Sequence, residues 1–340
     1  MNAQYQRYIL KFKNPSGTSR GVLTEKETFF LEISDQNKKG IGECAIFRGL
    51  SYDDVPNYEK KIKWLCENIN KDAKIIHKEL LNYPSIWFGY EQAMKNLNQS
   101  ENIYFPSEFT YGKQSITING LIWMGEMEFM KAQIQKKLDE KFRCIKLKIG
   151  INWDNEKEIL RNIREIFPKN KLEIRVDANG AFSSKNTIKI LEQLADLDIH
   201  SIEQPIKAGN WKDIASLCKN TPIPIALDEE LIGILDLNEK IKLIETICPQ
   251  YIILKPSLVG GFLGTDEWIY LAKERKISYW ITSALESNIG LNAISQYTFT
   301  KISEDQSKMP QGLGTGTLFT NNTKSNLELK GDQLWFSINH

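Results

Sequence analysis

Five apolar runs, each closed by a charged residue, follow one another along this chain: Cys144-Ile-Lys146-Leu-Lys148, Ile174-Arg-Val-Asp177, Ser201-Ile-Glu203, Ile225-Ala-Leu-Asp228 and Ile252-Ile-Leu-Lys255. From Lys148 to Asp177 is 29 positions, then 26 to Glu203, 25 to Asp228 and 27 to Lys255. That interval holds one strand, one helix and two short loops, so the pattern is a repeated βα unit. Successive units with right-handed crossovers build a parallel sheet. The C-terminal ends of such strands are where a closed barrel gathers its reactive groups. The order cation, anion, anion, anion, cation predicts a metal site flanked by lysines.

Strand and helix alternate on both sides of the ladder. Strands are expected at 115–121, 143–149, 173–178, 199–204, 223–228, 251–255 and 278–283, with helices at 126–141, 155–166, 184–197 and 266–275 between them. Six or more such units favour closure into a barrel. An open doubly wound sheet is the alternative, but no GxGxxG follows the first strand. The first ~50 residues differ: alternating apolar positions at 8–12 and 28–33, and the run 40–45, predict a small antiparallel sheet. Turn-forming stretches at 14–20 and 47–51 read as loops, and helical spacing follows at 58–68, 73–81 and 85–97. After the glycine-rich Gly312–Gly316, residues 327–336 read as a hairpin turning at Gly331-Asp332, expected to return to the N-terminal domain.

Lysine and arginine number 44 against 43 acids in 340 residues, a balance that argues against nucleic acid or an anionic membrane as partner. Residues 1–13 lack a signal-peptide core, and no run is apolar enough to span a bilayer. Five scattered cysteines without a CxxC pair argue against zinc or a disulfide framework and fit a reducing cytoplasm.

Lys146 and Lys148, two apart on a strand, share a face. If that face is the barrel interior, the two ammonium groups repel and each tends to lose its proton, toward the range of a base; the alternative is a solvated strand end. Asp177, Glu203 and Asp228 end three successive strands. Together they call for a hard divalent cation, Mg²⁺ first and Mn²⁺ second; singly, each could cap the following helix instead. Lys255 ends the next strand, across the barrel from the lysine pair. A metal between two lysine positions can hold a substrate carboxylate and stabilise charge as a base removes the adjacent proton. His77, His200 and His340 lack ligand-spaced partners, and Gly260-Gly261 and the Gly312–Gly316 cluster read as phosphate cradles or, in preference, as tight turns at the barrel mouth.

The Lys-x-Lys strand, Asp177-Ala-Asn179, Glu203-Gln-Pro205 and Asp228-Glu229, in that order, resemble the landmarks of the enolase superfamily. The resemblance implies an α/β fold: a modified TIM barrel, (β/α)7β, over 114–316, with an α+β capping domain made from 1–113 and the tail 317–340. Within the superfamily, Lys255-Pro-Ser-Leu-Val-Gly-Gly261, Thr282-Ser-Ala-Leu-Glu-Ser-Asn-Ile-Gly-Leu291 and Gly312–Phe319 look most like the o-succinylbenzoate synthase family, menaquinone-pathway lyases that eliminate water from a cyclohexadiene carboxylate. By that resemblance Lys148 is the base and then the proton donor. Lys146 supports the enediolate, and Lys255 stabilises charge from the other face. Asp177, Glu203 and Asp228 bind Mg²⁺, with Asn179 and Glu229 behind them. Thr282, Ser283 and Gly312 meet the succinyl tail. The same lysine pair serves N-acylamino acid racemases and dipeptide epimerases, which are the rivals. The latter usually carry Asp-x-Asp where this chain has Gly312-Leu-Gly-Thr-Gly316. A non-catalytic metabolite-binding barrel is the reading from another class. Oligomeric state is left open.

Overall fold

The computed structural model describes residues 1–18, 21–99, 102–123, 126–302 and 309–338. Seven parallel strands form one sheet in sequential order: β5 (Gly120–Ile122), β6 (Cys144–Lys148), β7 (Glu173–Asp177), β8 (Ser201–Glu203), β9 (Ile225–Leu227), β10 (Tyr251–Leu254) and β11 (Ser278–Ile281). Each is followed by a helix: α4 (Met127–Asp139), α5 (Trp153–Ile166), α6 (Ser184–Asp196), α7 (Trp211–Asn220), α8 (Leu237–Ile247), α9 (Gly261–Glu274) and α10 (Asn288–Lys301). The sheet closes through a minimal eighth stave. Gln311 bridges to Ile118 before β5, and Gly312 bridges to Thr282 after β11, both parallel. The fold is the modified TIM barrel.

Burial explains why these strands read so clearly. In β6 the odd positions Ile145 and Leu147 join the main apolar core, while the even positions Cys144, Lys146 and Lys148 point the other way. The barrel is therefore wrapped in aliphatic side chains outside and carries its polar groups inside.

The N-terminal domain is an antiparallel sheet of β1 (Asn2–Thr18), β2 (Gly21–Asp35) and β3 (Lys38–Cys44), backed by α1 (Tyr58–Glu67), α2 (Ala73–Leu80) and α3 (Pro84–Leu97). It has its own core around Phe29, Leu31, Ile33, Tyr58, Ile62 and Leu65. The stretch expected to loop at 14–20 instead extends the hairpin. Past a register shift between Lys11 and Ser16, pairing resumes from Ser16 to Thr18 opposite Leu23 to Gly21. The bulge absorbs the proline and lets turn-forming residues pair. Ser19 and Arg20 lie outside the described residues.

Two further differences concern 115–121 and the tail. The expected single strand is two short ones, β4 (Ile116–Thr117) and β5, in different sheets. Ile118 and Asn119 between them donate to Asp332 and Gln311. The tail hairpin, β12 (Leu327–Lys330) and β13 (Gln333–Phe336), turns at Gly331-Asp332 and pairs with β4. Ahead of it, the 318–321 segment lies along β1: Lys13 donates to Leu318, and Thr320 donates to Lys11.

Two carboxylates of the N-terminal domain reach the barrel. Glu91 of α3 accepts from Phe262 N (2.6 Å) and Leu263 N (3.1 Å), capping the N-terminus of α9. This corrects the phosphate-cradle alternative for Gly260-Gly261: the anion there is Glu91. A Cβ on Gly261, whose φ is +73°, would lie 2.1 Å from Glu91 Oε2. The second carboxylate, Glu43, meets the N-terminus of α10.

Candidate active site

Lys148 ends β6 and Lys255 follows β10, four staves apart in an eight-stave barrel, so they stand on opposite walls. Between them lie the ends of β7, β8 and β9. Asp177 and Glu203 are direct register partners, and Asp228 follows β9. All three acids are buried.

Each acid meets a lysine. Lys146 Nζ donates to Glu203 Oε2 at 2.8 Å and lies 3.7 Å from Asp177 Oδ2. Lys148 Nζ donates to Asp177 Oδ2 (2.8 Å) and Asn179 Oδ1 (2.5 Å). Lys255 pairs with Asp228. Asn179 also donates to Glu229 Oε1 (2.9 Å), which ties the Lys148 contact to the β9 loop.

The electrostatics follow from this pairing. Burial works against the charge on Asp177, yet Lys148 and Lys146 outweigh it and hold the carboxyl well below its usual range. Glu203 goes the other way. Burial and then Asp177 push it up to about 8, against the pull of Lys146. The expectation that lysine–lysine repulsion strips protons is overturned for Lys146. Burial and Lys255 lower its pKa, but Glu203 and Asp177 raise it further, and it ends above the ordinary lysine value. Lys255 is likewise held up, with Asp228 and Glu203 overcoming burial.

As arranged, among the described residues no three His, Cys, Asp or Glu groups are close enough to enclose a metal ion. The acids instead take the lysines as counter-ions, as like charges in a low-dielectric interior must. The donor set nevertheless fits a hard divalent cation. Its members are all carboxylates at neighbouring strand ends, and Glu203 Oε1 is buried with no hydrogen-bond partner. An incoming cation would exchange lysine contacts for its own.

A cleft opens above these groups at the strand ends. Lys146, Lys148, Asp177, Asn179, Glu229 and Lys255 line one end; Thr282, Ser283 and Gly312 lie at the other, with Ala284, Leu285 and Thr315. Glu203 and Asp228 sit behind the lining. Thr282 Oγ1 donates to Gly312 O (2.8 Å), and Ser283 Oγ pairs with Thr315 Oγ1 (2.7 Å), so this wall is polar and uncharged. Sequence reasoning missed the apolar wall: Phe47 and Leu50 from the loop after β3, and Leu121 and Trp123 around the end of β5. The only available signal was that 47–51 is a loop. His77 packs at a tilt against Trp87 on the N-terminal domain, and His200 bonds Ser201, both away from the cleft. His340 lies outside the described residues.

Residues 129–317 match the family model described as Enolase C-terminal domain-like. The chain belongs to the enolase superfamily. Among curated relatives, an o-succinylbenzoate synthase from Desulfotalea psychrophila is 44% identical, with 99% of each chain covered. The crystal structure of MenC from Desulfotalea psychrophila superposes with a TM-score of 0.82 at 40% identity, covering 98% of this chain and 99% of that one. An N-succinylamino acid racemase from Thermus thermophilus is 34% identical over 46% of this chain and 40% of its own length.

Proposed function

We infer that this chain is a carbon–oxygen lyase of the menaquinone pathway. It eliminates water from 2-succinyl-6-hydroxy-2,4-cyclohexadiene-1-carboxylate to give o-succinylbenzoate. The observation that carries this reading is the chain-long, 44% identical relative that bears that name. The site chemistry supports it, since the two lysine positions and three acids end successive staves of one cleft.

Enolase-superfamily sites use a lysine or histidine base with bound Mg²⁺. Asp177, Glu203 and Asp228 would hold the ion here, which when bound supplies positive charge beside the substrate carboxylate. Lys148 takes the proton α to that carboxylate. The electron pair of the broken C–H bond forms the new ring double bond, the C–O bond to the hydroxyl breaks, and Lys148 returns its proton so that water departs. One amine serves both steps because proton and hydroxyl leave from one face. Lys255 faces the other side of the ring and stabilises developing negative charge. Lys146 adds charge beneath the carboxylate. The apolar wall of Phe47, Leu50, Leu121 and Trp123 suits the ring, and the uncharged Thr282–Gly312 wall suits the succinyl arm. Aromatisation supplies much of the driving force.

A second reading is supported by the lysines on opposite walls and the Thermus relative: racemisation of N-succinylamino acids, one lysine removing a proton and the other returning it. The uncharged Gly312–Thr315 wall, which offers no carboxylate to an ammonium group, argues against cationic dipeptides. The test is product absorbance with the cyclohexadiene substrate and Mg²⁺. A Mg²⁺-dependent rise is expected; turnover of N-succinylamino acids alone would replace the first reading with the second.

A further inference from the structure

Between the N-terminal domain and the cleft lies a chain of buried carboxylates that the chemistry above does not use. Glu43, near the end of β3, is fully buried. Its Oε1 accepts from Thr28 Oγ1 (2.8 Å) and Ser287 N (3.0 Å), and its Oε2 accepts from Ser287 Oγ (2.5 Å) and Gly290 N (3.0 Å). Four donors on one carboxylate, two of them amides at the N-terminus of α10, make this a fixed strut rather than a loose contact. Glu43's own amide is held by Gln92 of α3.

The next link is Glu286, also fully buried, adjacent to Ser287. Glu286 Oε2 accepts from Ala284 N (2.7 Å), and Oε1 accepts from Ser257 Oγ (2.5 Å). Ala284 is cleft wall, and Ser257 is two residues past Lys255. Between Ala284 and Glu286, Leu285 is held at φ +62°, a left-handed conformation that costs a leucine about 1 kcal/mol or more. The bonds on either side of Leu285 hold that turn in place. Lys26 of β2 is buried, and its amine feels both carboxylates, Glu43 more than Glu286.

We propose that Glu43 and Glu286 are positioning residues. Through them the N-terminal domain sets the register of two barrel loops at once, the one carrying Lys255 and the one forming the Thr282–Leu285 wall. Ser287 couples Glu43 to the α10 loop, and Ser257 carries the constraint from Glu286 to the Lys255 loop. The catalytic consequence rests on the lyase reading; the mechanical link does not.

Two measurements separate these. Hydrogen–deuterium exchange on Glu43→Gln should rise both in peptides spanning 284–290 and in those spanning 255–261. A rise confined to 284–290 overturns the relay whatever the reaction is. Wild-type turnover of the cyclohexadiene substrate tests the lyase reading by itself. Given that turnover, Glu43→Gln and Glu286→Gln should each lower kcat about tenfold or more, with a much smaller change in KM and unchanged Mg²⁺ affinity by calorimetry. Because both act on one linkage, the double variant should be little worse than the poorer single. Unchanged kcat, or fully multiplying losses in the double variant, would overturn the proposal.

Discussion

At the residue scale the site balances charge by pairing three acids with three lysines, and this pairing decides what each variant should do. Lys148→Ala removes the proposed base but none of the carboxylates. Turnover should fall by several orders of magnitude while titration calorimetry shows Mg²⁺ binding retained; a near wild-type rate would mean the base is elsewhere. Asp177→Asn, Glu203→Gln and Asp228→Asn should each weaken Mg²⁺ by more than the roughly 10- to 100-fold typical of lost outer-shell partners. Unchanged binding in all three would dismiss the triad. Five of the six residues were legible because each closes an apolar run, and Lys146 because period-two alternation puts it on the same face as Lys148. Their protonation was not legible. It depends on which acid each lysine meets: Lys146 finds Glu203 from 57 positions away, and nothing in Lys-x-Lys announces that.

At the scale of elements, strands and helices of the barrel follow from spacing, whereas the devices that join them do not. Asp53 is one such device. Its Oδ2 accepts from Ser85 N (2.9 Å) and Ser85 Oγ (2.6 Å) at the start of α3. Burial raises its pKa from the ordinary 3.8 to about 6, although the Ser85 bonds pull it down. An acid whose folded pKa lies above its unfolded one binds its proton more tightly in the fold. Its contribution is therefore complete below about pH 4 and is lost as pH rises through about 6, a change of about 3 kcal/mol. Asp53→Asn should remove that slope; denaturant midpoints measured at pH 4 and 7 should converge relative to wild type, and parallel slopes would refute the assignment. Gly261 is another device. An alanine there meets Glu91 Oε2 and must adopt a positive φ, so Gly261→Ala should cost about 2 kcal/mol or more, read as a fall in Tm. In sequence, Gly260-Gly261 looked like a turn or a phosphate cradle, because the carboxylate that occupies the helix end is 170 residues earlier.

For the whole molecule the question is whether barrel and N-terminal domain unfold together. The N-terminal domain has a core of its own, but the barrel core also runs into it through Leu10, Phe12, Ala45 and Phe88, the last packed on Phe262, so cooperativity comes from what crosses between them. Glu43 and Glu91 cross by capping barrel helices, and the tail crosses by returning along β1. There Phe319 is nearly buried, its ring 4.7 Å from that of Phe12 in an edge-on arrangement, and the two residues form an antiparallel bridge. Beyond it the hairpin of β12 and β13 closes on β4 at the entry to the barrel, with Phe336 against Phe109. One short stretch of chain thus touches both domains within about twenty residues. Phe319→Ala leaves the hairpin, the barrel closure and the main-chain bonds of 318–320 to β1 in place and removes only the ring packing against Phe12. The lost packing should cost about 3–5 kcal/mol. Wild-type protein should give one calorimetric transition, and the variant should split it, with the N-terminal domain melting first and Lys148–Asp177 chemistry surviving structurally in the barrel. A single transition shifted bodily to lower temperature would mean that the helix-capping glutamates and the shared apolar packing around Phe88 and Phe262 suffice to couple the domains without the Phe12–Phe319 contact.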